Sequence, residues 1–162
     1  MESLEIERKW LVMKPIMLIP SRYFNSTTWY LDADSDVRVI KKVDMLNNVV
    51  YKYTCKSPGD LIRKEDESYI TEDKFNELIA ALPDNVQANP LLRTSFVYEV
   101  DGHELYVATV DKHRPTEFQY AEIEFDNAMK AKEFVLPSII QAKDVTYDPY
   151  YKMKNYWKRT RL

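Results

Sequence analysis

Apolar and polar residues alternate with a period of two along most of this chain. The alternating stretches run at about residues 3–12, 26–32, 36–43, 48–56, 61–70, 92–101, 103–111 and 119–126. Each is rich in Tyr, Val, Ile and Thr, so the pattern predicts half-buried strands. Asn47-Asn48 and Asp101-Gly102 supply the positive backbone angles of tight hairpins, and Pro58-Gly59-Asp60 is a turn by composition. Two interruptions read as helices. Thr71 is a candidate N-cap, Phe75, Leu78, Ile79 and Leu82 recur at helical spacing, and Pro83 ends the run. A second helix is expected over 127–136, and a shorter one over 149–157. No repeat or linker divides the chain, which reads as one domain over residues 1–162, α+β but mainly β.

The polar faces of these strands carry both signs of charge. Side chains two apart share a face, so Glu5, Glu7 and Lys9 line up, as do Arg38 with Lys42, and Lys52 with Thr54 and Lys56. The same rule aligns Arg63, Glu65 and Glu67, then Arg93 with Glu99, then Glu122, Glu124 and Asp126. Arg8 falls on the apolar face of the first strand, among Leu4, Ile6 and Trp10. Two architectures fit. In one, the apolar faces make the core and the charges are solvated, as in most antiparallel sheets. In the other, the sheet closes into a barrel with the charges inside and helices covering part of the outside. Alternation by itself favours the first.

Composition narrows the chemistry. Only Gly59 and Gly102 are glycines, so no glycine-rich phosphate cradle exists and any phosphate must be held by side chains. The single cysteine, Cys55, lies on an apolar strand face and excludes both a disulfide framework and a cysteine zinc site within the chain. His103 and His113 are isolated near turns and lack metal-ligand spacing. The net charge of −3 and pI of about 5.5 argue against a dedicated nucleic-acid binder. The basic, aromatic tail (Lys152, Lys154, Lys158, Arg159 and Arg161 among Tyr151, Tyr156 and Trp157) therefore reads as a covering helix with a solvated basic face. No basic leader or membrane-length apolar run is evident, so a cytoplasmic protein without a membrane partner is expected; monomer and homodimer remain equally open.

The carboxylates shift the balance between the two architectures. A Glu-x-Glu pair presents two hard oxygen donors side by side, as Mg²⁺ or Mn²⁺ requires. Two such pairs, Glu5/Glu7 and Glu122/Glu124, sit on the first and last predicted strands, which become neighbours when a barrel closes. Lys9, Arg38, Lys56, Arg63 and Arg93 supply the cations a polyphosphate needs.

The order of these motifs resembles the CYTH superfamily, the triphosphate tunnel metalloenzymes. Glu5-x-Glu7-x-Lys9 is similar to that family's opening signature. Tyr30-Leu31, Arg38, Lys56, Arg63-x-Glu65-x-Glu67 and Ala121-Glu122-Ile123-Glu124 resemble its later elements in order, and Asp144-Val145-Thr146 resembles its Glu-Val-Thr element. The resemblance implies an eight-stranded antiparallel tunnel that hydrolyses a triphosphate with Mg²⁺ or Mn²⁺. Inorganic triphosphate or a small organic triphosphate is the implied substrate; a class IV-type adenylate cyclase and a non-catalytic polyphosphate-binding module are the alternatives. Glu5, Glu7, Glu122 and Glu124 would hold metal. Lys9, Arg38, Lys52, Lys56, Arg63 and Arg93 would contact phosphate, with Glu65, Glu67 and Asp144 in support. Lys9 with Tyr30 is a possible reactive pair, the lysine pKa being lowered by its cationic surroundings. Three positions depart from the family pattern: Ile40, Leu91 and Ala108 stand where charged residues are usual, and Lys42 and Lys52 lie on faces from which they can compensate.

Overall fold

The computed structural model describes residues 1–162. Nine strands form one sheet: β1 (Glu2–Val12), β2 (Arg22–Asp32), β3 (Val37–Asp44), β4 (Val49–Lys56), β5 (Ile62–Ile70), β6 (Leu91–Val100), β7 (His103–Val110), β8 (Phe118–Glu124) and β9 (Ala142–Asp144). The order is β5-β4-β3-β2-β6-β7-β8-β1, and β1 pairs back onto β5. Every pairing is antiparallel, so the first eight strands close into a barrel. The short β9 adds to β1 beyond the β5 pairing, with Asp144 opposite Trp10. The expected fold class holds, with the charged faces inside.

Closure depends on β1 changing partners along its length. Glu5 lies opposite Arg63 of β5, whereas Glu7 and Lys9 lie opposite Glu124 and Glu122 of β8. The predicted strands match, with differences at the ends. β2 starts at Arg22, because Arg22, Tyr23 and Phe24 gain partners in the Ser95–Val97 stretch of β6. β9 is three residues long, too short for alternation to reveal.

Four helices, α1 (Glu72–Ala80), α2 (Asp84–Gln87), α3 (Ala128–Glu133) and α4 (Met153–Arg161), complete the fold. Thr71 caps α1 as expected, its side chain accepting from the Lys74 N–H. Phe75 of α1 packs edge-on to Trp29, with Tyr51 also in ring contact. α3 is shorter than the expected 127–136 helix: Asn127 caps it and Phe134 is already extended. Its Ala131, together with Phe134, covers Trp10, Leu105, Val107, Ala121 and Ile123 on the outer face of the barrel. The tail makes a 3₁₀ turn at Pro149–Tyr151 and then α4, which runs to Arg161 rather than stopping near 157.

α4 seals one end of the barrel. Met153, Tyr156 and Trp157 pack on the inward-facing Tyr30, Leu91, Ala108, Val110 and Tyr120. Its polar anchor is buried: Arg161 pairs with Asp111 at 2.8 Å, and the Tyr156 hydroxyl donates to Asp111 at 2.6 Å. The tail's basic residues are thus largely engaged with the barrel, Lys152 with Asp60 and Lys158 with Asp34, rather than forming a free basic face. No helix is long and apolar enough to cross a membrane.

Candidate functional site

The barrel interior holds two adjoining chambers that share Glu7, Arg93, Tyr120 and Glu122 as a common wall. The smaller, about 110 Å³, lies toward α4. Lys9, Arg38, Lys56, Arg63, Arg93 and Lys152 line it against Glu7, Asp36, Asp60 and Glu122. The larger, about 310 Å³, has the opposite balance: Glu5, Glu7, Glu65, Glu67, Glu122 and Glu124 face Lys42, Lys52 and Arg93. Charge is therefore sorted along the tunnel, with cations in excess at one end and carboxylates at the other.

Pairing across the strands keeps these charges buried. Glu5 is 6% exposed and accepts from Lys56 Nζ at 2.7 Å and Arg63 Nη2 at 3.0 Å. Burial would raise its pKa, but the charges of Lys56 and Arg63 outweigh burial and lower it. Lys56 also reaches Glu65 at 3.2 Å, and Lys52 reaches Glu67 at 2.9 Å. Arg38 and Arg93 have weaker partners. Arg38 donates to the Tyr30 hydroxyl at 2.9 Å, and Arg93 donates to the Tyr120 hydroxyl at 2.8 Å and Thr28 at 3.3 Å. The Nε of each is buried without a hydrogen-bond partner. These open donors line the cation-rich chamber and call for an anionic acceptor.

The shared wall carries a carboxyl pair. Burial raises the Glu7 pKa well above the ordinary carboxylate value, and the charge of Glu122 raises it further. Burial also opposes ionisation of Glu122, but Lys9, the hydrogen bond from Glu7, Lys56 and Arg93 together bring it down to about 2. The two carboxyls are thus pushed in opposite directions, Glu7 up and Glu122 down. Glu124 is raised by burial and by the neighbouring Glu5 and Glu65. No three acidic, histidine or cysteine groups converge to hold a metal ion by themselves. The donor set is nonetheless all oxygen, and Glu122 lies close enough for its charge to raise both Glu7 and Glu124. That suits Mg²⁺ or Mn²⁺, which bind through one or two carboxylates together with phosphate oxygens and water. Glu7 and Glu122, with Glu124 beside them, are the residues that fit.

Twelve of the fourteen residues singled out in the sequence line a chamber: Glu5, Glu7, Lys9, Arg38, Lys52, Lys56, Arg63, Glu65, Glu67, Arg93, Glu122 and Glu124. Two do not. Tyr30 is 3% exposed, lines neither chamber and packs at a tilt against Trp157 of α4, with ring centroids 5.5 Å apart. The phenol at Lys9 is instead Tyr120, whose ring centroid lies 4.1 Å from the ammonium. Asp144 sits on the outer face, where Arg8 donates to it at 2.7 Å and to the carbonyls of Ala131 and Phe134. Burial lowers the Lys9 pKa, partly offset by Glu122 and Glu7, so the expected direction arises from desolvation more than from neighbouring cations.

The departures have a structural place. Leu91 is 1% exposed and belongs to the apolar seal beneath α4, where a lysine would be buried without a partner. Ala108 belongs to the same seal and also borders the larger chamber, as does Ile40. Asp36 and Tyr120 are chamber residues that the motifs leave out. Both lie two residues before a selected one, Arg38 and Glu122, so the alternation already places Tyr120 on an inward face. Thr146, of the Asp144-Val145-Thr146 element, also lines the smaller chamber, and Lys152 reaches it from the tail, where no local pattern points to it. Gly59 also matters: a Cβ there would stand 2.4 Å from the Ile62 carbonyl oxygen and 3.0 Å from Arg63 Cγ. Its carbonyl accepts from Lys152. Gly59→Ala is expected to cost about 1–3 kcal/mol in a denaturant melt and to weaken anion binding through displacement of Arg63.

No family model matches the chain, and no curated protein matches it by sequence. Solved structures do. The inorganic triphosphatase NE1496 is 23% identical, with 94% of this chain and 93% of that one covered and a TM-score of 0.61. The likeness is one of fold. A candidate adenylate cyclase from Bacillus halodurans is 13% identical, covering 81% and 85% of the two chains at a TM-score of 0.56. A conserved hypothetical protein from Pyrococcus furiosus is 19% identical, covering 80% and 84% at a TM-score of 0.52.

Proposed function

We propose that this chain hydrolyses a triphosphate with the help of a divalent metal ion, Mg²⁺ or Mn²⁺. The observation that carries the reading is the sorted charge: a cation-rich chamber joined through Glu7 and Glu122 to a carboxylate-rich one. Phosphoryl transfer needs little covalent chemistry from a protein; it needs positioning and stabilisation of developing charge. Arg38 and Arg93 offer open donors to phosphoryl oxygens, while Lys56 and Arg63 add charge from positions fixed by Glu5. The metal, held at Glu7 and Glu122, would screen phosphate charge and polarise an attacking water. Lys9, opposite Glu122 on the neighbouring strand, adds a further cation for phosphoryl oxygens. Water adds to a terminal phosphorus as the bridging P–O bond breaks, and its protons leave on the released phosphate and the shortened chain. The fold shared with an inorganic triphosphatase supports this reading.

One observation favours a small organic triphosphate as a second substrate. The larger chamber includes Phe24, Ile40, Tyr106 and Ala108 in its wall, an apolar lining that a bare polyphosphate does not use. The test is metal-dependent phosphate release from inorganic triphosphate, ATP and thiamine triphosphate, with Glu7→Gln/Glu122→Gln as control. Release that requires metal and disappears in the double variant is expected, and the ranking of substrates assigns the larger chamber. Release equal to that of the double variant would overturn hydrolysis and leave cyclisation or binding alone.

A further inference from the structure

Asp36 is the one acidic residue set among the cations of the smaller chamber that is neither on the shared carboxyl wall nor near solvent. It is 4% exposed. One carboxylate oxygen, Oδ2, accepts from Arg63 Nη1 at 3.2 Å. The other, Oδ1, has no hydrogen-bond partner and stands 3.9 Å from Arg38 Nε, which is itself buried and unpartnered. The carboxylate therefore lies between the two guanidiniums without satisfying the second.

The turn does not need that carboxylate. Asp36 closes the β2–β3 connection with φ of 52°, a left-handed conformation that Gly and Asn adopt more readily than most residues. Its backbone N–H donates to Ala33 O, and its carbonyl accepts from Lys56 N. The side chain takes no part in either bond. A buried negative charge on a turn that glycine would satisfy opposes the binding of any anion in the same chamber.

We infer that Asp36 tunes the affinity of the phosphate site, sharing Arg38 and Arg63 with the bound anion and weakening the hold on product as well as substrate. The inference rests on the phosphate-site reading above. Without Asp36, Arg38 would face the chamber with no carboxylate near it and Arg63 would keep only Glu5, so a product such as pyrophosphate would be held more tightly and its release would limit turnover. Asp36 offsets that retention and holds the Arg63 guanidinium in place.

The test is calorimetric binding of pyrophosphate to the full chain, with Mg²⁺ and without. Asp36→Asn and Asp36→Gly both keep the left-handed turn, and thermal melts of the free proteins check that they fold. Both are expected to bind pyrophosphate at least roughly tenfold more tightly than the wild type. Asp60→Asn removes the same charge from the same chamber, but from a carboxylate whose side chain is 41% exposed and paired with Lys152; it is expected to change affinity less than about threefold. Unchanged or weaker binding by both folded Asp36 variants, with the wild type binding, would overturn the inference alone. So would equal tightening by Asp60→Asn, which would make the effect one of general charge. Binding by none of the proteins would overturn the phosphate site and the inference with it.

Discussion

Arg161→Met is expected to lower the stability of the chain by about 3–5 kcal/mol, the cost typical of removing one partner of a buried ion pair. Arg161 and Asp111 both have side chains shut off from solvent. Arg161 also donates to the carbonyls of Asn89 and Pro90, so it ties α4 to the segment leading into β6. Its loss leaves Asp111 with only the Tyr156 hydroxyl and the Leu92 N–H as donors. At about 2–4 °C per kcal/mol for a chain of this size, the thermal midpoint should fall by roughly 10 °C. Replacing both partners, Arg161→Met with Asp111→Leu, should recover much of the loss, since no charge is then stranded. A double-variant cycle in denaturant checks this, and additive losses would contradict the pairing.

The same pair predicts a pH dependence. Burial opposes ionisation of Asp111, but the hydrogen bonds from Arg161, Tyr156 and the Leu92 N–H prevail and lower its pKa below the ordinary 3.8. A carboxyl with a depressed folded-state pKa contributes stability that is complete above its unfolded value and is lost as the pH falls through the folded one. The stability gap between wild type and Asp111→Asn should therefore be full at neutral pH and shrink only below roughly pH 4. Melting curves across that range read it directly.

The contrast between local and distant determinants explains how much of the site is legible in the sequence. Strand alternation fixes which side chains share a face, so Glu5, Glu7 and Lys9, or Arg63, Glu65 and Glu67, group together on their spacing alone. Arg8, grouped with the apolar face, does lie outside, where carbonyls and Asp144 satisfy it. Which face turns inward depends on barrel closure, a matter of β1 pairing with both β5 and β8 across long sequence separations. The lysine–tyrosine contact also depends on it: Tyr120 reaches Lys9 because β8 adjoins β1, while Tyr30 on β2 is taken up by Arg38 and Trp157. The tail is least legible. Its charges read as solvated because their partners, Asp34, Asp60 and Asp111, are scattered through earlier turns. Leu91 and Ala108 read as lost charges for the same reason, since the aromatic face that covers them belongs to α4.

The largest loss of activity is expected at the two arginines that the protein's own groups satisfy least. Lys56 and Arg63 are already committed to Glu5, at 2.7 and 3.0 Å, so their removal would strand a buried carboxylate and confound rate with stability. Arg38 and Arg93 have no carboxylate within ordinary hydrogen-bond reach. Their partners are the hydroxyls of Tyr30, Tyr120 and Thr28, and each keeps an unpartnered Nε. Arg38→Ala and Arg93→Ala should therefore lower triphosphate hydrolysis by about two to three orders of magnitude, the usual consequence of deleting a preorganised donor to developing charge. Melting temperatures should move far less than for Arg161→Met. Arg38→Lys should recover only part of the rate, because a single ammonium cannot replace the planar fork. Steady-state kinetics beside thermal melts make the comparison. If Lys56→Ala lost more rate than Arg38→Ala at equal stability, phosphate would be engaging the paired cations first, and the open donors of Arg38 and Arg93 would have to be assigned to positioning Tyr30 and Tyr120 instead.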